Sequence, residues 1–147
     1  MKVLVAYESR GGRTKRAAEA IADAVRAAGH EAEARPLKEA GSDQVGAADL
    51  LFVGSWVEGF LLFGVGPAKA ALRWVAGLQP ISGKHAAVFC TYALNPRGTL
   101  STLGSGLRAK GASLKGEAAF HHRRPTDGAP EFARQVLAAL PGESRPD

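Results

Sequence analysis

Lys2-Val3-Leu4-Val5-Ala6-Tyr7 begins the chain with a β-branched, apolar run that stops at Glu8-Ser9-Arg10-Gly11-Gly12-Arg13-Thr14. A run without polar alternation predicts a strand buried on both faces. Ala17, Ile21, Ala24, Val25 and Ala28 then recur at three- and four-residue steps, predicting a helix that Gly29 stops. The unit of strand, glycine-bearing turn and helix repeats in outline. His30 to Leu37 alternates charge with alanine, as a strand near a sheet edge does, and Leu50-Leu51-Phe52-Val53 is a buried run ending at Gly54-Ser55. Pro67 suits the first turn of a helix carrying Ala68, Ala71, Leu72 and Val75 on one face. Ala86-Ala87-Val88-Phe89-Cys90 predicts a further strand, and Leu100, Leu103 and Leu107 a helix closed by Gly111. Ser113 to Phe120 reads as the last strand, with Phe132, Val136, Leu137 and Leu140 facing the core from a final helix.

Strands that alternate with helices and are apolar throughout imply an α/β fold, a parallel sheet covered on both faces. Ligands of such sheets bind off the carboxyl ends of the strands, where the strand order reverses, so residues 8–14, 55–66 and 91–99 are the loops of interest. At 147 residues, 46% hydrophobic and 22% charged, the chain has the balance of one domain. The expected domain is residues 1–141, followed by a polar tail, 142–147, that should fray. One cysteine, Cys90, allows no intramolecular disulfide and no Cys-rich zinc site, which fits a reducing compartment. The apolar runs fall far short of the roughly 18 residues of a membrane span, and the amino terminus turns polar too soon for a signal peptide. A cytoplasmic globule is therefore expected.

The net charge of +5 has a location. Between Leu94 and Pro125 stand Arg97, Arg108, Lys110, Lys115, Arg123 and Arg124 against the single acid Glu117. That segment holds the whole basic excess. It is either a solvated helix face with a basic turn or a positive field facing an anionic cofactor, substrate or partner. Nucleic acid is not expected, because neither a reader motif nor an aromatic ladder accompanies the charge.

Several motifs are excluded by spacing. Gly77 to Lys84 has five residues between its glycines, lacks Ser or Thr after Lys84 and precedes a strand, so it is no nucleotide P-loop. The first turn has neither G-x-G-x-x-G nor an acid placed for a ribose, which argues against a dinucleotide site. His121-His122, flanked by arginine, reads as a basic solvated turn rather than a metal site, and no metal is expected. Cys90, inside an apolar strand, reads as a small core residue.

Ser9-Arg10-Gly11-Gly12-Arg13-Thr14, after a first strand and opening a helix, resembles the phosphate loop of the flavodoxin family. Orphan amides at a helix start attract an anion, glycine allows close backbone approach, and Ser9 and Thr14 add hydroxyls. Gly54-Ser55-Trp56, Ser82-Gly83-Lys84 and Cys90-Thr91-Tyr92 are similar to further elements of short-chain members, so the resemblance covers nearly the full chain. It implies a three-layer α/β/α sandwich around a five-stranded parallel sheet in the order 2-1-3-4-5, with FMN as ligand. Carried over, Ser9, Arg10, Gly11, Gly12, Arg13 and Thr14 would cradle the ribityl phosphate. Ser55, Trp56, Val57, Thr91, Tyr92, Ala93 and Arg97 would adjoin the ring, with Trp56 and Tyr92 flanking it. Gly59 would offer a peptide able to turn its carbonyl toward flavin N5. No side chain is expected to act as acid, base or nucleophile, since the cofactor carries the chemistry.

Three features depart from the family pattern. The third loop, Tyr92-Ala93-Leu94-Asn95-Pro96-Arg97-Gly98, has no acid, and Arg97 near N1 would favour an anionic reduced flavin by about 1 kcal/mol, giving a less negative potential. Gly59 to Gly66 is apolar: Phe60, Leu61, Leu62 and Phe63 either join the core or form a patch where a redox partner protein, a small hydrophobic acceptor or a second copy docks. Arg10 and Arg13 either clamp the phosphate or point into solvent. The expected function is FMN-dependent electron transfer. Two alternatives stay open: an FMN-dependent oxidoreductase acting on a quinone- or porphyrin-like substrate, and a regulatory or assembly module that no longer binds FMN.

Overall fold

In the computed structural model, residues 1–60, 63–96 and 98–142 are described, and the tail expected to fray falls mostly on residues 143–147, outside them. Five parallel strands form the sheet: β1 (Lys2–Glu8), β2 (Glu31–Pro36), β3 (Leu50–Phe60), β5 (His85–Tyr92) and β6 (Ser113–His121). Their spatial order is β2-β1-β3-β5-β6. Numbered among the parallel strands alone, this is the expected 2-1-3-4-5. One further strand, β4 (Phe63–Pro67), pairs antiparallel with the distal half of β3.

The apolar runs are continuous because each face of the sheet has its own core. Val3, Val5, Tyr7, Leu50, Phe52, Ala87 and Phe89 point to α1 (Arg13–Ala27) and α5 (Ala129–Ala138). Leu4, Ala6, Leu51, Val53, Ala86 and Val88 point to the other side, against α2 (Ser42–Ala47), α3 (Lys69–Ala76) and α4 (Thr99–Ala109). Period-two alternation thus sends neighbouring apolar residues into opposite layers. β2 and β6 are the edges, and their mixed composition keeps them from inviting a further strand.

Local details refine the expectations. The buried stripe of α1 is Thr14, Ala17, Ala18, Ile21, Ala22 and Val25; Ala28 lies exposed at the C-cap. α3 starts at Lys69, and Pro67 ends β4 opposite Val57 instead of opening the helix. Leu72 is exposed, while Ala68, Ala71 and Val75 are buried. The segment expected as a loop at 55–66 is largely a hairpin, because β3 runs past the end of the sheet and folds back as β4. α2 has only Val45 buried, too little to leave a helical period in the sequence. Among the described residues no helix is long and apolar enough to cross a membrane.

Candidate functional site

The carboxyl ends of β1, β3, β5 and β6 converge on a cleft of about 380 Å³ lined by Arg10, Gly11, Arg13, Thr14, Trp56, Val57, Thr91, Tyr92, Ala93 and His122. β1 lies between β2 and β3, so consecutive connections leave it toward opposite sides, and the cleft opens at this switch in strand order. A larger cleft, about 450 Å³, lies at the amino ends of β1 and β2. It is lined by Glu31, Glu33 and Asp43 beside Lys2 and alanines and has no aromatic face, and the α2 start that reaches it carries the acid Asp43.

The first wall is the turn into α1. Gly12 precedes the helix at φ 87°, a left-handed conformation that an L side chain would strain. Ser9 ties the turn together, its Oγ accepting the amides of Gly12 at 3.1 Å and Lys15 at 3.3 Å. Among the described residues, the amides of Gly11, Arg13 and Thr14 have no acceptor in the chain. No acidic side chain occupies the first turn of α1. The helix therefore opens with unsatisfied, partly positive N–H groups, as an anion site requires.

The second and third walls are aromatic. Trp56 stands on β3 at its last pairing with β5, opposite Thr91, and Tyr92 ends β5. Both are partly buried. The Arg10 guanidinium lies 5.1 Å from the centre of the Trp56 ring, a cation–π contact that ties the turn before α1 to β3. The His121 ring meets Tyr92 edge to face at 5.4 Å.

Beneath the cleft, Thr14 Oγ1 and Thr91 Oγ1 are hydrogen-bonded at 2.7 Å and both residues are buried. When Thr91 donates, the Thr14 proton is left for an anion. Ser55 is fully buried one layer down. Its hydroxyl accepts the Ala68 amide at 2.9 Å and donates to the Trp56 carbonyl at 2.7 Å, so it braces the base of the hairpin.

Of the residues singled out from the sequence, Arg10, Gly11, Arg13, Thr14, Trp56, Val57, Thr91, Tyr92 and Ala93 meet in the cleft. Ser9 and Gly12 line an adjoining recess with Lys15 and Lys38. Gly59 sits where the β3–β4 register shifts, between the Glu58 and Phe60 pairings. Leu61, Leu62 and Arg97 lie outside the described residues, as do the side chains of Phe60 and Phe63, so the docking patch and the charge expected beside N1 fall there too. His122 was missed. It reaches the cleft because β6 pairs with β5, Tyr92 opposite His121, and the His122 amide donates to the Tyr92 carbonyl at 2.7 Å. The signal available in the sequence was topological: in the order 2-1-3-4-5 the last strand ends beside the fourth.

The electrostatics are positive. Among the described residues no carboxylate lines the cleft, whereas Arg10, Arg13 and His122 do. Burial, followed by the charges of His121, Arg13 and Arg123, pushes the His122 imidazole below its usual pKa. No group of three or more His, Cys, Asp or Glu side chains among the described residues is placed to hold a metal.

The model of the flavodoxin domain matches residues 4–102, which span β1 to the start of α4 and include the α1 turn, Trp56 and Tyr92. No curated protein sequence matches the chain. Among solved structures, the chain is similar to the two-electron reduced flavodoxin of Megasphaera elsdenii at 25% identity, covering 93% of this chain and 97% of that one with a TM-score of 0.79. Flavodoxin 2 of Bacillus cereus, 21% identical over 95% of this chain and 100% of its own, superposes with a TM-score of 0.75. The Streptococcus pneumonia flavodoxin, 17% identical over 95% and 100%, reaches 0.77. These last two likenesses concern the fold. With the family model covering more than half of the sequence, and an anion-ready helix start facing two aromatic walls, the chain belongs to the flavodoxin domain family.

Proposed function

We propose that the chain binds FMN in this cleft and serves as an electron-transfer flavoprotein. One observation carries the reading: uncommitted amides at the start of α1 share a single cleft with Trp56 and Tyr92. The residues present fit the two ends of such a ligand, an anion at one and a flat heterocycle at the other. When bound, the flavin supplies the one- and two-electron chemistry, and the protein's part is to hold and tune it.

The Gly11, Arg13 and Thr14 amides and the Thr14 hydroxyl are assigned to the phosphate. Ser9 holds the turn open by capping Gly12 and Lys15 from within. Trp56 and Tyr92 are assigned to the ring, which they shield from water. Gly59, at the register shift of the hairpin, is assigned the peptide that would turn its carbonyl toward a bound flavin, because glycine tolerates both peptide orientations. Ser55 acts through its neighbours, fixing the backbone on which Trp56 stands. The buried, unpaired Cys90 suits a reducing compartment, and we place the protein in the cytoplasm.

Flavin titration tests this. The expected result is stoichiometric quenching of FMN fluorescence and a yellow complex that accepts and returns electrons without turning over NAD(P)H or quinones by itself. Turnover of either would make the protein an oxidoreductase. Undiminished fluorescence at saturating FMN would remove the reading.

A further inference from the structure

Arg13 and His122 approach the cleft from different elements: Arg13 is the first residue of α1, and His122 follows β6. Both line the cleft beside Gly11 and Thr14. The His122 backbone is anchored through its amide to Tyr92, so the side chain has a fixed base. His121 is already committed, its Nδ1 accepting the Arg123 amide at 3.2 Å while its ring packs on Tyr92. The His122 ring packs against His121 at 4.8 Å, but among the described residues its nitrogens have no hydrogen-bond partner. Around it stand Arg13 and Arg10 from the α1 side, Tyr92 from β5, and His121 and Arg123 from its own segment, and no described carboxylate lines the cleft. Cations gathered without a counter-charge at a helix start repel one another until an anion sits among them.

We propose that His122 and Arg13 clamp the terminal phosphate of the bound flavin nucleotide, the imidazole taking up a proton from solvent as the dianion enters. This rests on the FMN reading above and adds two charged side chains to the hydroxyls and amides of the loop. The sign follows from the surroundings. In the free protein, burial and neighbouring cations hold His122 in its neutral form to lower pH than usual. A phosphate dianion reverses that field, so the bound imidazole titrates higher than the free one. FMN affinity therefore gains a contribution as pH falls through the interval between the two titrations. The phosphate's own second protonation, near pH ~6, works in the opposite direction but equally in any variant. The informative quantity is the ratio of dissociation constants between variant and wild type.

The experiment compares FMN with riboflavin, which lacks the phosphate, for wild type, His122→Gln and Arg13→Gln at about pH 6.5, where an ordinary imidazole is half protonated, and about pH 8.5, where it is neutral. His122→Gln should weaken FMN about tenfold at the lower pH and less than about twofold at the higher, leaving riboflavin unchanged. Arg13→Gln should weaken FMN at both, because the guanidinium does not titrate. Imidazole NMR titration of the wild type, which needs no variant, should show His122 moving upward on addition of FMN and staying in place with riboflavin. A His122→Gln ratio equal at both pH values, or the same dependence with riboflavin, overturns the clamp while leaving FMN binding intact. Failure of the wild type to bind either flavin overturns the FMN reading and the clamp together.

Discussion

At the level of single residues, the site depends on positions that never touch it. Gly54 pairs with Phe89 across β3 and β5, and a Cβ added there would lie 2.2 Å from the Phe89 ring. Phe89 is fully buried among Val5, Phe52 and Phe120 and has nowhere to withdraw. Gly54→Ala should destabilise the protein by about 1–3 kcal/mol through overpacking, measured as a lower urea midpoint with an unchanged slope. An unchanged midpoint would mean that the ring is free to shift. Cys90, next to Phe89 on β5, illustrates burial acting on chemistry. Desolvation first, and the charge of Glu117 second, push its thiol up to about 12. The thiolate is the reactive form, so a disulfide reagent at about pH 8 should leave the native protein unmodified and label one thiol only after denaturant is added. Rapid labelling of the folded chain would contradict the burial. Both residues were read correctly in outline, Gly54 as a glycine after an apolar run and Cys90 as core. The ring that makes Gly54 obligatory comes from another strand, and no local pattern announces it.

Between elements, the buried Thr14–Thr91 hydroxyl pair joins the start of α1 to the end of β5, and so joins the wall assigned to phosphate to the wall assigned to the ring. Replacing either threonine by valine keeps the shape but leaves the other hydroxyl unpaired in a dry site, at a cost of about 1–3 kcal/mol. Replacing both removes the two polar groups together. The double variant should therefore be less destabilised than the sum of the singles, with a coupling of about 1 kcal/mol in a double-mutant cycle followed by urea denaturation. Strict additivity would show that the contact contributes nothing. The legibility of the chain divides at this same level. Parallel strands announced themselves because both their faces are covered, as Val3, Val5 and Tyr7 against Leu4 and Ala6 show. The hairpin did not, because Glu58 to Gly66 mixes glycine and aromatic residues in a way that suits a loop or a helix start, and its pairing is imposed by β3 continuing beyond the sheet. His122 was hidden for a related reason. Among histidines and arginines in a turn it carries no local signal, and it becomes part of the cleft only through the pairing of β6 with β5.

Across the whole molecule, the basic excess that the sequence concentrates between Leu94 and Pro125 divides in space. Arg108 and Lys110 stand at the end of α4, and Lys115 lies on the edge strand β6. Arg123 and Arg124 follow His122 at the cleft, where Arg10 and Arg13 add two charges from the other side. Among the described residues three acids temper this rim: Glu8 in the adjoining recess, Glu58 in the hairpin, and Asp127, which lies 3.7 Å from Arg124 in an exposed pair worth little in water. Among the described side chains the mouth of the cleft is thus positive in balance, a surplus that the phosphate of a bound nucleotide would offset in part from within while the outer rim keeps its sign, and encounters with charged electron acceptors should be steered accordingly. Taking the FMN reading, the second-order oxidation of the reduced protein by the anionic acceptor hexacyanoferrate(III) should slow as salt rises from about 20 to about 300 mM, a range over which the Debye length shrinks from roughly 20 Å to below 10 Å. Oxidation by the cationic acceptor hexaamminecobalt(III) should quicken over the same range. Reversing one rim charge with Arg124→Glu, a residue that neither lines the cleft nor acts on His122, should flatten both slopes without changing FMN affinity more than about twofold, since exposed charges contribute weakly to a ligand they do not touch. If both acceptors respond to salt with the same sign, or the reversed rim behaves as the native one, the field at the cleft does not select the partner. If the slopes follow the charges, the physiological acceptor or donor should present an acidic face.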